Sequence, residues 1–249
     1  MGGWEQHQVV GWQRQDEMRE RLDMLRLEIG QDVLTLPTIQ TIDHAVELEP
    51  KAKKIYAAME SDFIADVESG IITASNALAK LLRLQQIAAG HVLPEGETKY
   101  VEVSTAKRQA LTDLLEDAGE PAVVFCRFRS DLDTVAAVAD GLKLSYGEVS
   151  GRRNDYRGWD GDVLGVQIQA GSLGLNLTRA RIGVFYTMGY SLGDYQQALA
   201  RLHRPGQERP VVFYRFLARG TVDWRIVRAL DKRAGVIEAL LSDYVGGDE

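Results

Sequence analysis

The chain has 249 residues, of which 45% are hydrophobic and 26% charged, a composition typical of a folded globular protein. It has no apolar run of about 18 residues and no secretion-signal pattern at its start, which excludes an evident membrane helix and favours a cytoplasmic protein. Its single cysteine, Cys126, excludes an internal disulfide and a thiolate zinc cluster. The net charge is −7, but residues 121–249 hold 17 basic and 15 acidic side chains, so local basic clusters remain available for phosphate groups.

The first hundred residues have mainly helical patterns. Apolar residues at helical spacing predict helices over 16–29, from Pro50 to about 70, and from about 78 to Gly90. Alternating apolar and polar residues over 42–48 predict a strand. The segment HVLPEGETKY, after Gly90, is typical of a loop. We therefore expect residues 1–100 to form a mainly helical linker that includes the end of a preceding domain.

From about residue 105, short apolar segments alternate with helical patterns. Predicted strands cover 122–126, 144–149, 163–168, 182–186 and 211–216, and predicted helices cover 105–117, 131–141, 193–203 and 221–233. This alternation indicates an α/β fold with a parallel sheet covered by helices on both faces. Right-handed crossovers bring the carboxyl ends of such strands to one edge, where ligands bind. We place this domain at 101–240, with a tail at 241–249.

A loop rich in small residues, QAGSLGLNLTRA at 169–180, follows the strand GDVLGVQI. Small residues let the backbone pass close to a ligand, and Gly174 adds conformational freedom. Backbone N–H groups and the Ser172 hydroxyl can contact a phosphate in such a loop. A plain glycine-rich turn has the same pattern, so the loop alone leaves both interpretations open.

A second segment, QQALARLHRPGQ at 196–207, places Gln197, Arg201 and Arg204 at i, i+4 and i+7, on one face of a predicted helix. Arginine has a permanently charged, planar fork that matches phosphate oxygens, so these side chains can bind a polyphosphate. At an interface, such an arginine stabilises the charge of phosphoryl transfer. A solvated helix face has the same spacing, and that alternative also stays open.

In this order, the two segments resemble motifs V and VI of the Swi/Snf family of superfamily two helicases. Residues 122–127 with Ser130 and Asp131 resemble motif IV, which opens the second RecA-like lobe of that family. Within the same region, SGRRNDYR at 150–157 and GTVD at 220–223 also resemble elements of that family. A weaker similarity of the inter-lobe segment DVLTLPTIQTIDHAVELEPKAKKIYAAM extends the resemblance over roughly residues 30–240. Two departures, Ala200 for a usual glycine and Pro205 for a usual Ile or Val, are conservative enough for us to expect function to survive.

The resemblance implies the second RecA-like lobe of an ATP-driven DNA translocase. It implies that Arg201 and Arg204 reach the β- and γ-phosphates of ATP, with Arg204 as the arginine finger, that Gln197 orients the same end, and that Gly174 couples the nucleotide to DNA. The sequence has no GxxxxGK[ST] and no Asp-Glu pair on a strand, the elements with which the family's first lobe binds ATP and Mg²⁺. We therefore expect a first lobe, on the same polypeptide, to hold most of both, and this chain alone to lack ATPase activity and a metal site.

The family tracks duplex DNA by its phosphates, so the resemblance also implies sequence-independent contacts to duplex or branched DNA. The candidate contacts are Ser172, Arg127, Arg129, Arg152, Arg153 and Arg157. Ordinary surface solvation is the alternative for each. Two other functions stay open, an annealing or fork-remodelling helicase and a DNA-binding module that retained the lobe without catalysis. The compact linker favours a bacterial or viral protein, and dispersed histidines disfavour a nuclease site in this chain.

Overall fold

A computed structural model describes residues 14–23, 36–68, 74–94, 96–170, 174–232 and 236–245. The chain divides into two compact units, Met1–Thr35 and Leu36–Glu249. In the first unit, helix α1 spans Gln15–Asp23, and Arg21 Nη2 lies 2.9 Å from Glu17 Oε1, one turn earlier. The rest of the helix predicted over 16–29 lies outside the described residues.

The second unit contains the remaining helices and strands. The helices are α2 (Pro50–Glu68), α3 (Ala74–Ala88), α4 (Ala106–Ala118), α5 (Arg129–Gly141), α6 (Leu192–Leu202), α7 (Val222–Asp231) and α8 (Val236–Val245). The strands are β1 (Ile39–Val46), β2 (His91–Val92), β3 (Val101–Glu102), β4 (Ala122–Cys126), β5 (Tyr146–Val149), β6 (Val163–Gln167), β7 (Ile182–Phe185) and β8 (Val211–Ala218). These bounds agree with the predicted elements to within a few residues. The structure adds the β2–β3 hairpin, where a loop is predicted, and α8, which extends into the predicted tail. In the part of the chain that the structure describes, no helix is long and apolar enough to cross a membrane.

Six strands form one parallel sheet in the order β1-β8-β7-β4-β6-β5, as predicted for a RecA-like fold. Because all neighbouring pairs are parallel, the carboxyl ends of the strands lie along one edge. All five side chains of β4 are buried, so both faces of this central strand are covered. Cys126 is a buried free thiol, and burial raises its pKa.

The edge strand β1 comes from the predicted linker. It pairs with β8 over its whole length, from Ile39 opposite Val211 to Val46 opposite Ala218. The compact unit therefore includes residues well before 100. The division into a linker at 1–100, a lobe at 101–240 and a tail at 241–249 stays a prediction about the domains of the protein.

The start of α4 is fixed by contacts from two earlier segments. Gly90 ends the α3 region with φ +101°, and a Cβ there would lie 2.4 Å from the Ser104 carbonyl oxygen, so the close approach requires glycine. Glu49 accepts hydrogen bonds from the Thr105 amide at 2.8 Å and from the Thr105 hydroxyl at 2.7 Å. Although burial alone would raise it, these bonds and one from Ser104 lower the pKa of Glu49 to about 2.

Candidate functional site

Helices α4, α5 and α7 begin at the carboxyl edge of the sheet, and their first turns are joined by buried polar side chains. Lys107 Nζ of α4 lies 2.7 Å from Asp223 Oδ2 of α7, and each side chain is only 1% exposed. Lys107 Nζ also donates to the Tyr186 carbonyl at 3.1 Å, and Asp223 Oδ2 accepts from the Ala218 amide at 3.1 Å. This ion pair therefore joins two helices to the ends of β7 and β8.

The first turn of α5 contributes a second buried carboxylate, Asp131. Its Oδ2 accepts hydrogen bonds from Thr187 Oγ1 at 2.6 Å and from the Phe128 amide at 2.9 Å. Complete burial outweighs these bonds and raises the pKa of Asp131 to about 6. Thr187 Oγ1 in turn accepts from the Arg127 amide at 2.8 Å, so the ends of β4 and β7 are held together.

A third buried side chain, Gln85 of α3, donates from Nε2 to the Met188 carbonyl at 2.7 Å. Residues 186–188 are therefore held one after another by polar side chains from α4, α5 and α3. We call this segment the anchored loop. It leads into α6, so its position sets where that helix begins. Ser191 then caps α6 by accepting from the Asp194 amide at 3.1 Å.

The C-terminal end of α6 carries the predicted arginine pair against the glycine-rich loop. Arg201 lies in the last turn of α6, whereas Arg204 lies in the turn after the helix ends at Leu202. Nη1 of each arginine donates to the Leu175 carbonyl at 3.4 Å, and the Arg201 carbonyl accepts from the Leu177 amide at 3.0 Å. Burial and the charge of Arg204 lower the pKa of Arg201. Two guanidinium groups thus converge, an arrangement suited to an anion.

Gln207, which no sequence pattern marks as functional, closes the segment that carries both arginines. Its buried Nε2 donates to the carbonyls of Thr178 and Ala180, each at 3.0 Å. Its backbone amide donates to the Arg204 carbonyl at 3.0 Å. Gln207 therefore ties the loop after β6 to the turn that holds Arg204. Its only sequence signal is a glutamine after a Pro-Gly turn, which is also typical of a solvated residue.

The other predicted nucleotide residues lie at the same corner of the lobe. Gln197 is exposed one turn before Arg201, and both border a recess of about 10 Å³ beside Leu175. This recess is too small to enclose a nucleotide. Gly174 is exposed, and a Cβ there would meet no atom within 4 Å. Ser172 lies outside the described residues.

The predicted DNA contacts differ in how available their charges are. Arg129 and Arg157 are exposed, and neither has an ion pair within the described ranges of the chain. Arg152 is bonded internally, with Nε 2.8 Å from Glu148 Oε1 and Nη2 2.6 Å from Asp133 Oδ1. Hydrogen bonds to these carboxylates raise the pKa of Arg152. A phosphate would therefore meet a free charge at Arg129 or Arg157 and a neutralised one at Arg152.

Arg153 and Arg127 also have internal contacts. Arg153 pairs with Asp155. The Arg127 guanidinium lies 4.4 Å from the centre of the Tyr190 ring, and burial lowers its pKa. Arg127 Nε is buried and has no hydrogen-bond partner among the described residues. Both arginines would have to exchange internal contacts for phosphate contacts in order to bind DNA.

Known proteins share the domain and the fold in which these residues lie. Residues 106–206 match the model of the helicase conserved C-terminal domain. An uncharacterized ATP-dependent helicase from Mycoplasma pneumoniae is 25% identical over 84% of this chain and 21% of its own length. The chain spans 44% and 21% of the first curated relatives that it matches.

Two solved structures share the fold. The C-terminal part of the Fun30 ATPase domain matches with a TM-score of 0.65 and 18% identity, over 85% of this chain and 97% of that one. The Sulfolobus solfataricus SWI2/SNF2 ATPase core, solved in complex with dsDNA, matches with a TM-score of 0.64 and 18% identity, over 93% of this chain and 53% of that one. The second unit thus has the RecA-like fold of these two structures, and residues 106–206 within it are similar to the helicase conserved C-terminal domain.

Proposed function

We propose that this chain is the C-terminal motor lobe of an ATP-dependent DNA translocase and completes a nucleotide site together with a first RecA-like lobe. The observation that carries the proposal is the convergence of Arg201 and Arg204 on the Leu175 carbonyl of the glycine-rich loop. Two like charges at one place are more stable with an anion between them, and the guanidinium fork matches phosphate oxygens. A nucleoside triphosphate is the ligand in keeping with the family.

Each site residue has a role in this proposal. ATP with Mg²⁺ supplies the phosphoryl group when bound. Arg204 is the arginine finger, because it lies in the turn that follows the end of α6, whereas Arg201 is still within the helix. Arg201, in the last helical turn, binds the β- and γ-phosphates, and Gln197, exposed one turn earlier, orients the same end. Gly174, in the glycine-rich loop that also holds the candidate DNA contact Ser172, couples the nucleotide site to DNA.

The described residues suit a polyphosphate better than a metal ion. Among them, no group of three or more His, Cys, Asp or Glu side chains is arranged to hold a metal. By the family resemblance we assign Mg²⁺ and most of the ATP to a first lobe. Because the chain spans only 21% of the Mycoplasma relative, we place that lobe on the same polypeptide. The consequence is that this chain alone hydrolyses no ATP.

DNA is the proposed second ligand. The Sulfolobus relative was solved with dsDNA, and sequence-independent binding needs cations that can reach phosphates. Arg129 and Arg157 meet that requirement because both are exposed and lack internal ion pairs within the described parts of the chain. Arg127, Arg152 and Arg153 rank below them, since each has an internal contact. We propose that the ligand is duplex or branched DNA. We place the protein in the cytoplasm of a bacterium or of a virus-infected host cell.

DNA-stimulated ATP hydrolysis tests this proposal, measured on the chain alone and on the chain joined to its first lobe. We expect turnover only in the joined protein, because each lobe holds part of the site. Arg204→Ala in the joined protein should lower kcat by about 10³ to 10⁵, the range known for arginine fingers. Arg209→Ala is the matched control, since Arg209 is an exposed arginine that pairs with Glu120 at 2.7 Å.

Two results would contradict the proposal. Turnover by the clean isolated chain would show that it needs no first lobe. Equal kcat values for Arg204→Ala and Arg209→Ala would show that Arg204 is not an arginine finger. A joined protein that binds DNA without any turnover would favour the non-catalytic DNA-binding module.

A further inference from the structure

A basic cleft lies at the carboxyl ends of β1 and β8, apart from the arginine pair of α6. Arg219, Trp224, Arg225 and Arg228 line it together with Glu60 of α2, and its volume is about 530 Å³. We call it the α7 cleft, because three of these residues belong to α7. The functions assigned so far do not use it.

The cations of the α7 cleft are only partly neutralised. Arg219 Nε lies 3.2 Å from Glu47 Oε1, and Arg225 Nη2 lies 3.9 Å from Glu60 Oε1. Arg228 is exposed and has no ion pair in the described part of the chain. The cleft thus has an excess of positive charge on a chain whose net charge is −7. Such a local excess attracts an anion.

The start of α7 strengthens the positive potential of the cleft. A neighbouring recess of about 360 Å³ shares Arg219 and Glu60 with it. Lys53 of that recess pairs with its Glu47 at 2.7 Å and adds no net charge. The cleft also adjoins the start of α7, where Thr221 accepts from the Asp223 amide at 3.3 Å and caps the helix. Backbone N–H groups at a helix start carry partial positive charge. Arg225 Nη1 is moreover buried without a hydrogen-bond partner among the described residues.

The position of the cleft favours one kind of anion. Arg219 directly follows β8 and Arg129 follows β4, so both lie at the carboxyl edge of the sheet, whereas Arg228 lies in the last turn of α7. Only β7 separates these strands, which gives two strand spacings, or about 10 Å. The grooves of B-DNA are about 6 and 12 Å wide, so phosphates on the two sides of one groove are about as far apart as Arg129 and the end of β8.

We propose that the α7 cleft is a second contact for the phosphate backbone of DNA. This inference rests on the proposed function and extends the DNA surface from Arg129 to Arg219 and Arg228. Arginine suits the role because its planar fork binds phosphate oxygens in pairs. An acidic peptide is the competing ligand, but it would have no reason to lie in line with Arg129.

Fluorescence anisotropy of the full chain with a short, labelled DNA duplex tests the cleft. Affinity is measured from about 50 to 200 mM salt for the wild type, Arg228→Ala, and Arg219→Ala/Arg228→Ala. Each lost phosphate contact should reduce the slope of log affinity against log salt by about 0.9. We expect Arg228→Ala also to weaken binding about tenfold at low salt, in line with one charge-assisted hydrogen bond.

Two control variants separate this inference from the proposed function. Lys143→Ala removes an exposed charge before β5, at the opposite edge of the sheet, and should bind like the wild type. Arg129→Ala removes one of the two exposed arginines, the other being Arg157, that the proposed function assigns to DNA. If Arg129→Ala weakens binding but the cleft variants match Lys143→Ala, the cleft inference is overturned and the proposed function stands.

The other outcomes are equally decisive. A wild-type chain that does not bind DNA overturns both proposals. Binding of polyglutamate that Arg228→Ala abolishes, with DNA affinity unchanged, overturns the inference in favour of an acidic protein partner. Reduced salt slopes for the cleft variants, with polyglutamate unbound, support the DNA contact.

Discussion

The buried ion pair between Lys107 and Asp223 gives the sharpest test of how this lobe is held together. Lys107→Met removes the charge and keeps most of the side-chain length. Asp223 then loses its cation, and its Oδ1 already has no hydrogen-bond partner among the described residues. Only the Ala218 amide would remain on Oδ2. A buried carboxylate left this way destabilises a protein by about 3–5 kcal/mol.

The size of the effect can be stated as a melting temperature. One kcal/mol corresponds to about 2–4 °C for a chain of about this length, so Lys107→Met should lower Tm by roughly 6–20 °C. Urea unfolding followed by circular dichroism gives the free energy of unfolding, and calorimetry gives Tm. Lys54→Met is the matched control, because Lys54 is an exposed lysine of α2, and it should stay within about 0.5 kcal/mol of the wild type.

A double-mutant cycle isolates the pair itself. Asp223→Asn keeps an acceptor for the Ala218 amide but removes the charge that needs Lys107. The double variant Lys107→Met/Asp223→Asn should therefore be more stable than Lys107→Met, with an interaction energy of about 0.5–3 kcal/mol. The reasoning is refuted if Lys107→Met unfolds within about 1 kcal/mol of the wild type, since a buried unpaired carboxylate cannot cost so little.

Two more predictions concern the carboxyl edge and the arginine turn. Because burial raises the pKa of Asp131 from 3.8 to about 6, the native state keeps a proton that the unfolded chain releases. This contribution to stability is present below pH 3.8 and is lost as pH rises through 6, so Asp131→Asn should gain about 3 kcal/mol relative to the wild type across that window. Burial lowers the pKa of His91 to about 4, so His91 changes stability with pH in the opposite sense, but it does so equally in both proteins and cancels in their difference. If the difference in free energy of unfolding between Asp131→Asn and the wild type, measured in urea, did not change with pH, the prediction would be wrong. Gln207→Leu leaves the carbonyls of Thr178 and Ala180 without their hydrogen-bond donor. This change should lower the free energy of unfolding by about 1–3 kcal/mol and speed hydrogen exchange at residues 174–182. Unchanged exchange would show that Gln207 does not hold the loop.

Local patterns predict most elements of the fold but not the partners of each element. The run at 122–126 is apolar without alternation, which indicates a strand buried on both faces, and the structure places β4 at those residues. The alternation near 42–48 likewise predicts a strand. Its pairing with β8, some 170 residues later, has no local signal, so the sequence analysis assigns it to a linker.

In the candidate site too, the sequence predicts some features and not others. The spacing of Arg201 and Arg204 predicts that they converge, and both donate to the Leu175 carbonyl, although Arg204 lies beyond the end of α6. The availability of the DNA arginines depends on their partners in the folded chain instead. Arg152 pairs with Asp133, 19 residues away in sequence, as well as with Glu148. Arg157, by contrast, has no ion pair within the described residues.

The contacts of the anchored loop determine how long a segment must be for this lobe to be transferred intact from one protein to another. A fragment limited to residues 106–206, where the helicase family model matches, keeps Lys107 but loses Asp223 and the Gln85 side chain that holds Met188. It also loses β8, which turns β7 from an interior strand into an open edge. The segment that recombination can transfer intact is therefore longer than the segment in which the motifs are recognised, and begins at least as early as β1.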